Sequence, residues 1–420
     1  MTDAAATAGP MMTTADGTPL RVALARATRR SKIRAFLLVA PLLVFILITF
    51  IFPIVDMLFN SVDSPEVQEA IPETIAELKN WNGTGLPDEA VYAALAKELS
   101  DRSRRAEIGR MSKRLNYEIA GFRSLLNKTG RKIGRAEAPF KDAFIAIDED
   151  WGNPDTWKVI KNAAPPITIG FYLNALDRTT DPDGNIVMQP EYKQIYVTLF
   201  LRTIYVSIGV TVFCILLAYP ISYMLATLPT KHSNLLLILV LLPFWTSLLV
   251  RTTSWIVLLQ TQGVINDLLV WTGVIDTENR ITMIYNMTGT LIAMTHILLP
   301  FMVLPLYSVM KTISPNYMRA ARSLGANPLT AFVRVYMPQT VPGIGAGSIL
   351  VFILAIGYYI TPALVGGQDG QLISNLIAYH MKQSLNWSLA AALGSILLAG
   401  VLAMYWLYDR LVGVDNMKLG

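Results

Sequence analysis

The sequence predicts an all-α polytopic membrane protein with six transmembrane helices and a mainly helical insertion between the first and second. Three observations lead there. Of 420 residues, 53% are apolar and only 15% are charged, against about 25% charged in a typical soluble domain. The shortfall lies in stretches long enough to cross a bilayer, which needs roughly 20 apolar residues. The remaining charge gathers at the ends of those stretches and in one long polar block.

Composition also excludes several classes. Net charge is +5, but the pattern suits topology and contact with membrane lipid, not nucleic acid, which asks for a basic stripe along one face. Cys214 is the single cysteine, and His232, His296 and His380 are far apart in sequence. Neither an intrachain disulfide nor a metal site is expected.

Residues 1–31 read as a disordered cytoplasmic tail, and 32–59 as the first transmembrane helix, apolar from Phe36 to Phe59. That stretch is too long for a secretory h-region and lacks a small-residue cleavage site. Arg26, Arg29, Arg30, Lys32 and Arg34 precede it and hold the N-terminus inside. Residues 60–194 then form a periplasmic insertion. Pro87-Asp88-Glu89 opens a helical pattern there, with Val91, Leu95 and Leu99 on one face, and Asp181-Pro182-Asp183-Gly184 marks the exit. Its many basic residues do not oppose an outside location, because long domains translocate largely regardless of charge.

Residues 195–415 read as a core of five more spans, Thr203–Ala226, Leu235–Leu259, Thr288–Met310, Ile344–Val365 and Ser388–Leu411. Lys231 and His232 lie in one connection predicted inside, and Lys311, Arg319, Arg322 and Arg334 in the other. The connections predicted outside hold Asp267, Asp276, Glu278 and Asp369. Both termini are therefore expected in the cytoplasm of a multi-pass inner-membrane protein.

The most informative stretch is the connection 311–342. A first short helix runs to Leu324, where Gly325 supplies a left-handed stop. Asn327 caps a second, which Pro328 opens and Pro338 closes. Leu329, Phe332, Val333 and Tyr336 lie on that second helix, and Ala320 and Ala321 leave the first open to close approach. A basic amphipathic loop on the inner leaflet accounts for the aromatic residues but not for the paired alanines, Gly325 and Pro338 together.

This loop resembles the EAA loop of binding-protein-dependent ABC transporter permeases, E-A-A-x-x-x-G-x9-I-x-L-P. Ala320, Ala321, Gly325, Val335, Met337 and Pro338 occupy the matching positions, with Arg319 where the pattern has Glu. Leu242 to Thr252 and Gly357 to Gly367 are similar to permeases of the spermidine/putrescine type. The resemblance implies the type I ABC importer permease fold over about residues 195–415, and a polyamine or related small organic solute as cargo. It implies that Arg319, Ala320, Ala321, Gly325 and Pro338 couple to an ABC ATP-binding subunit present in two copies. A second permease, homologous or identical, and a periplasmic solute-binding protein complete the implied assembly. The chain binds no cofactor of its own on this reading; ATP-Mg belongs to the ATPase, and no G-x-x-x-x-G-K-[ST] loop occurs here.

Within the spans, Arg251 is the sharpest residue. A straight helix places it about 24 Å from Leu235, and an intramembrane charge points to function or to snorkelling. Trp245, Arg251, Tyr358 and Tyr359 are the pathway candidates. Pro243, Pro300, Pro305 and Pro362 are expected to kink their helices, and His296 reads as a helix–helix hydrogen-bonding residue. No catalytic residues are expected. The competing reading is an ATP-independent secondary transporter or channel, which would show intramembrane carboxylates, an inverted repeat or a filter loop. A membrane-anchored enzyme with residues 60–194 as its working domain lacks any nucleophile–base spacing there.

Overall fold

The computed structural model describes residues 20–412, and the chain divides into two units, 1–59 and 60–420. The first unit is one long helix from Leu20 to Asn60 with a π-turn at Leu47–Ile51. Residues 20–31, expected as part of a structureless tail, are thus helical. Leu, Ala and Arg dominate them, and these are strong helix formers even without an apolar period. Residues 1–19 and 413–420 lie outside the described residues.

In the second unit, residues 66–175 fold into short helices around a core of their own. Trp151, Trp157, Tyr92 and Phe144 are fully buried at its centre. Tyr92 meets Trp157 edge-on at 4.6 Å, and Phe144 meets Trp151 at 5.1 Å. Their polar ends are satisfied: Trp157 Nε1 and the Tyr92 hydroxyl both donate to the Trp151 carbonyl, and Trp151 Nε1 donates to Thr129 Oγ1. Val91, Leu95 and Leu99 line this core from the helix Glu89–Ser100. Asp181 to Gly184 is not an exit into the spans but the tip of a hairpin pairing Arg178–Thr180 with Ile186–Met188.

The insertion is seated on the apolar core rather than tethered beside it. Phe171 and Ala175 of the helix Gly170–Ala175 pack on Leu389, Ala392 and Leu393 of the last span, Trp387–Val412. Lys113 Nζ donates to the Ser384 carbonyl, and Ser388 Oγ to the Asp63 carbonyl at 3.3 Å. Asp177, buried and at φ +56°, accepts the backbone N–H groups of Ile195 (3.1 Å), Tyr196 (2.9 Å) and Val197 (2.9 Å). These are the orphan donors that open the second span, Tyr196–Thr227, so a carboxylate 18 to 20 residues upstream serves as its cap.

His380 lies at the same junction, in the ten-residue helix Ile373–Lys382. Its Nε2 faces the Tyr196 hydroxyl at 3.2 Å and its Nδ1 faces Ser384 Oγ at 2.8 Å. Burial pushes the imidazole down to about 4. Between pH 6.5 and 4 the unfolded chain takes up a proton that the folded imidazole refuses. The contribution to stability is complete above about pH 6.5 and falls through that window. Thermal unfolding in detergent at pH 7.5 and 4.5 should show an acid loss that His380→Asn reduces; an unchanged loss would remove His380 as its source.

Among the described residues five helices are long and apolar enough to cross a membrane, and the spans number six when one bent pair is counted as a span. The second, fourth (Met287–Thr312) and fifth pack closely through Val206, Val210, Cys214, Met294, Leu298, Met302, Val351 and Ala355. Lipid supplies no hydrophobic drive between helices, so close backbone approach matters. Gly343 sits against Leu306 and Val309, and Gly347 against Met302.

Two spans differ from the sequence expectation. The third is not one helix from Leu235 to Leu259: Thr230–Leu241 runs into a 3-10 turn at Leu242–Trp245, and a 99° bend leads to Leu248–Leu259. Pro243 removes a backbone donor, and Ser247 Oγ accepts the Val250 N–H at 3.2 Å to start a new helix. The fifth runs from Pro328 to Gly357 as one helix and breaks at Tyr358–Tyr359 before Ile360–Val365. Pro338 therefore does not close a short helix. A π-turn at Phe332–Tyr336, with the Met337 N–H donating to the Phe332 carbonyl, slips the register just where Pro338 lacks its donor. Pro300 and Pro305 lie within a helix that continues through them.

Candidate functional site

The 311–342 connection presents one face to solvent and anchors the other. Its first helix, Pro315–Ser323, ends in a Schellman motif: the Ala326 N–H reaches the Ala321 carbonyl, and the Gly325 N–H the Arg322 carbonyl. Gly325 has φ +93°, the left-handed conformation this stop requires. Asn327 Oδ1 accepts the Thr330 N–H at 2.7 Å to begin the next helix. Arg319, Ala320, Gly325 and Pro338 are exposed and Ala321 is half-buried. Arg319 Nη1 donates to Asn316 Oδ1 at 3.5 Å.

Aromatic packing fixes the inner face. Phe332 and Tyr336 stack at 5.5 Å, and Tyr223 of the second span meets each edge-on at 5.4 Å. Leu306 and Met310 of the fourth span complete the cluster. The Tyr219 hydroxyl lies 3.3 Å from Thr340 Oγ1. Phe332 and Tyr336 thus hold the connection to the spans. The exposed apolar residues are others: Leu324 at 88%, Leu329 at 72% and Tyr317 at 54%. Leu324 was not singled out from sequence, although an apolar residue directly before a helix-stop glycine is a usable signal.

The pathway candidates fall at the two breaks in the spans. Irregular backbone at membrane depth is tolerated where protein satisfies it or where it lines a cavity. Here side chains do much of the satisfying. Arg251 Nη2 donates to the Thr246 carbonyl at 3.0 Å. Ser374 Oγ donates to the Tyr358 carbonyl at 2.6 Å, and Asn375 Nδ2 to that of Tyr359 at 2.7 Å. The broken segments also meet each other, with Thr252 Oγ1 3.3 Å from Thr361 Oγ1.

Trp255 Nε1 donates to His296 Nδ1 at 3.1 Å, a helix–helix bond. Tyr359 is turned to Lys382, which lies 5.2 Å above its ring. Trp245 ends the 3-10 turn with 76% of its surface exposed. Thr252, Thr361, Ser374 and Asn375 were missed, since their role depends on breaks that no local pattern announces. Among the described residues no group of acidic, His or Cys side chains is placed to hold a metal.

Comparison with known proteins shows the family. Residues 198–413 match the family model described as binding-protein-dependent transport system inner membrane component. The chain is 38% identical over 221 residues to the spermidine/putrescine transport system permease protein PotB of Escherichia coli (strain K12), covering 52% of this chain and 80% of that protein. To the protein of the same name in Haemophilus influenzae it is 33% identical over 228 residues, with 53% and 79% covered. A chain of a bacterial alginate ABC transporter, solved in complex with an alginate pentasaccharide-bound periplasmic protein, is similar over 54% of this chain and 81% of its own, with a TM-score of 0.43 and 18% identity. The chain belongs to the family of binding-protein-dependent transport system inner membrane components, and is a multi-pass inner-membrane permease subunit of an ABC importer with the type I permease fold.

Proposed function

We propose that this chain forms half of a pathway for a polyamine of the spermidine/putrescine class. The observation that carries the cargo is the 38% identity over 221 residues to a permease named for those solutes. Two ATP-binding subunits hydrolyse ATP-Mg on the cytoplasmic side, and this chain has no catalytic role. They dock against Arg319, Ala320, Ala321 and Gly325, with Leu324 and Leu329 as apolar anchors. The stacked Phe332 and Tyr336 hand their motion to the second and fourth spans, and Pro338 lies just past that stack.

Both termini lie in the cytoplasm and residues 60–194 in the periplasm, where a solute-binding protein delivers cargo. A second permease closes the other half of the pathway. Trp245, Arg251, Tyr358 and Tyr359 line it or set its gate, because the spans break there and side chains meet the Thr246, Tyr358 and Tyr359 carbonyls. The test is uptake of labelled putrescine and spermidine into vesicles carrying the assembled complex. Uptake that requires both ATP and binding protein supports the reading. Flux that persists after ATP depletion points to a secondary transporter, and ATP-driven uptake of another solute alone removes the polyamine assignment.

A further inference from the structure

We propose, resting on the polyamine reading of the cargo, that the ring face of Tyr359 is a site for a primary ammonium group, and that Lys382 occupies it as a tethered stand-in until cargo displaces it. A shortage of negative charge sets the problem. Asp369 is the single carboxylate from Asn279 to Tyr408, and it is exposed. A cation passing the break at Tyr358–Tyr359 is therefore met, on this chain, mainly by neutral groups. A phenol suits that task, because it offers a negative π face and a hydroxyl oxygen that accepts.

The fold pins Tyr359 in place to present both. Its carbonyl accepts from Asn375 Nδ2 at 2.7 Å, and the Tyr358 carbonyl accepts from Ser374 Oγ at 2.6 Å. Both donors lie on the helix Ile373–Lys382. Asn375 and Lys382 are seven residues apart, two turns along one face and about 10 Å. The first holds the backbone of Tyr359 and the second covers its ring. Lys382 Nζ lies 5.2 Å from the ring centroid and 3.4 Å from the hydroxyl.

Lys382 is held there loosely. It is exposed, and among the described residues its ammonium enters no ion pair. A hydrogen bond of 3.4 Å is long, and a cation–π contact in water is weaker than a desolvated one. Lys382 ends its helix, where a lysine has free carbonyls within reach; its ammonium instead reaches back 23 residues to the ring.

The stand-in matches the cargo group by group. A lysine side chain is a four-carbon stem ending in an ammonium, and putrescine is a four-carbon stem with an ammonium at each end. A face that takes one takes the other. It does not take both, since two like charges in contact repel. Cargo reaching the ring expels Lys382 into solvent, and Lys382 returns once cargo has passed. While seated, its charge keeps other cations from the break.

The test measures flux of labelled putrescine in vesicles carrying the assembled complex, with assembly checked by co-purification. Tyr359→Leu removes the ring face, and ATP-driven uptake with saturating loaded binding protein should fall at least tenfold. Tyr359→Phe keeps the face and should stay within threefold of wild type. Lys382→Met keeps the stem and loses the charge, so flux without ATP should rise at least fivefold. Lys382→Arg, still a cation, should leave that flux within twofold of wild type. Combining Tyr359→Leu with Lys382→Met should bring it back down. Normal uptake by Tyr359→Leu, equal losses in Tyr359→Leu and Tyr359→Phe, or an unchanged flux in Lys382→Met would overturn the site while polyamine uptake by the wild type stands. ATP-driven uptake of an uncharged or anionic solute alone would remove the polyamine reading, and the ammonium site with it.

Discussion

Gly325→Trp should reach the membrane in normal amount and lose the ATP-binding subunit. The position separates folding from docking well. A Cβ there meets no atom within 4 Å, so the side chain leaves the backbone into open space. The left-handed backbone, φ +93°, adds a strain of about 1–2 kcal/mol for a non-glycine residue. That strain is confined to a solvent-facing helix end held by its own Schellman bonds. The large effect arises outside the chain, where an indole would stand beside Ala320, Ala321 and Leu324 on the surface proposed to dock. Co-purification should fall at least tenfold, and ATP-driven uptake with it. Gly325→Asn is the control, because asparagine tolerates this backbone and adds little bulk; it should keep most of the binding. Normal recovery of the ATPase with the Trp variant would count heavily against docking at this site.

Asp177→Ala should open the first turn of the second span. Its carboxylate accepts the N–H groups of Ile195, Tyr196 and Val197 while itself buried. Removing it leaves the Tyr196 and Val197 donors unmet, while Ile195 keeps its bond to the Lys193 carbonyl, at a helix end whose positive dipole had faced a negative charge. Hydrogen bonds to a charged group contribute about 1.5–3 kcal/mol each, but they are not additive. A total loss of about 3 kcal/mol corresponds to roughly 100-fold faster local opening. Hydrogen exchange at residues 196–200 should show it, together with easier proteolysis of the hairpin 178–188. Asp177→Asn keeps one acceptor and the left-handed backbone, and should fall between. Unchanged exchange in both variants would mean that the insertion is held by its packing on the last span instead.

How much of this was legible depends on the range of the interaction concerned. Gly325, Asn327 and Pro328 announce a helix stop and a helix start because the chemistry is local: a left-handed residue, a side-chain acceptor and a ring at the first turn. Val91, Leu95 and Leu99 announce a buried helix face by spacing alone. Pro338 misled, because its missing donor is absorbed by a π-turn that ring stacking between Phe332 and Tyr336 holds in place. The straight third span misled in the same way. Pro243 signals a weakness, but a 99° bend also needs Arg251 to meet the Thr246 carbonyl and Ser247 to cap the next helix.

Apolar length determined that this chain carries five or six segments able to cross a membrane among the described residues, because the bilayer judges a segment by its own transfer free energy, residue by residue. Tertiary structure alone decided where those spans break and what holds the insertion to them. Ser374 and Asn375 reach back 16 residues to the carbonyls of Tyr358 and Tyr359, and Thr252 meets Thr361 across 109. Backbone groups exposed at a break in lipid must be satisfied from elsewhere in the fold. Which residue comes to satisfy them is set by how the helices pack, not by any neighbour in the chain.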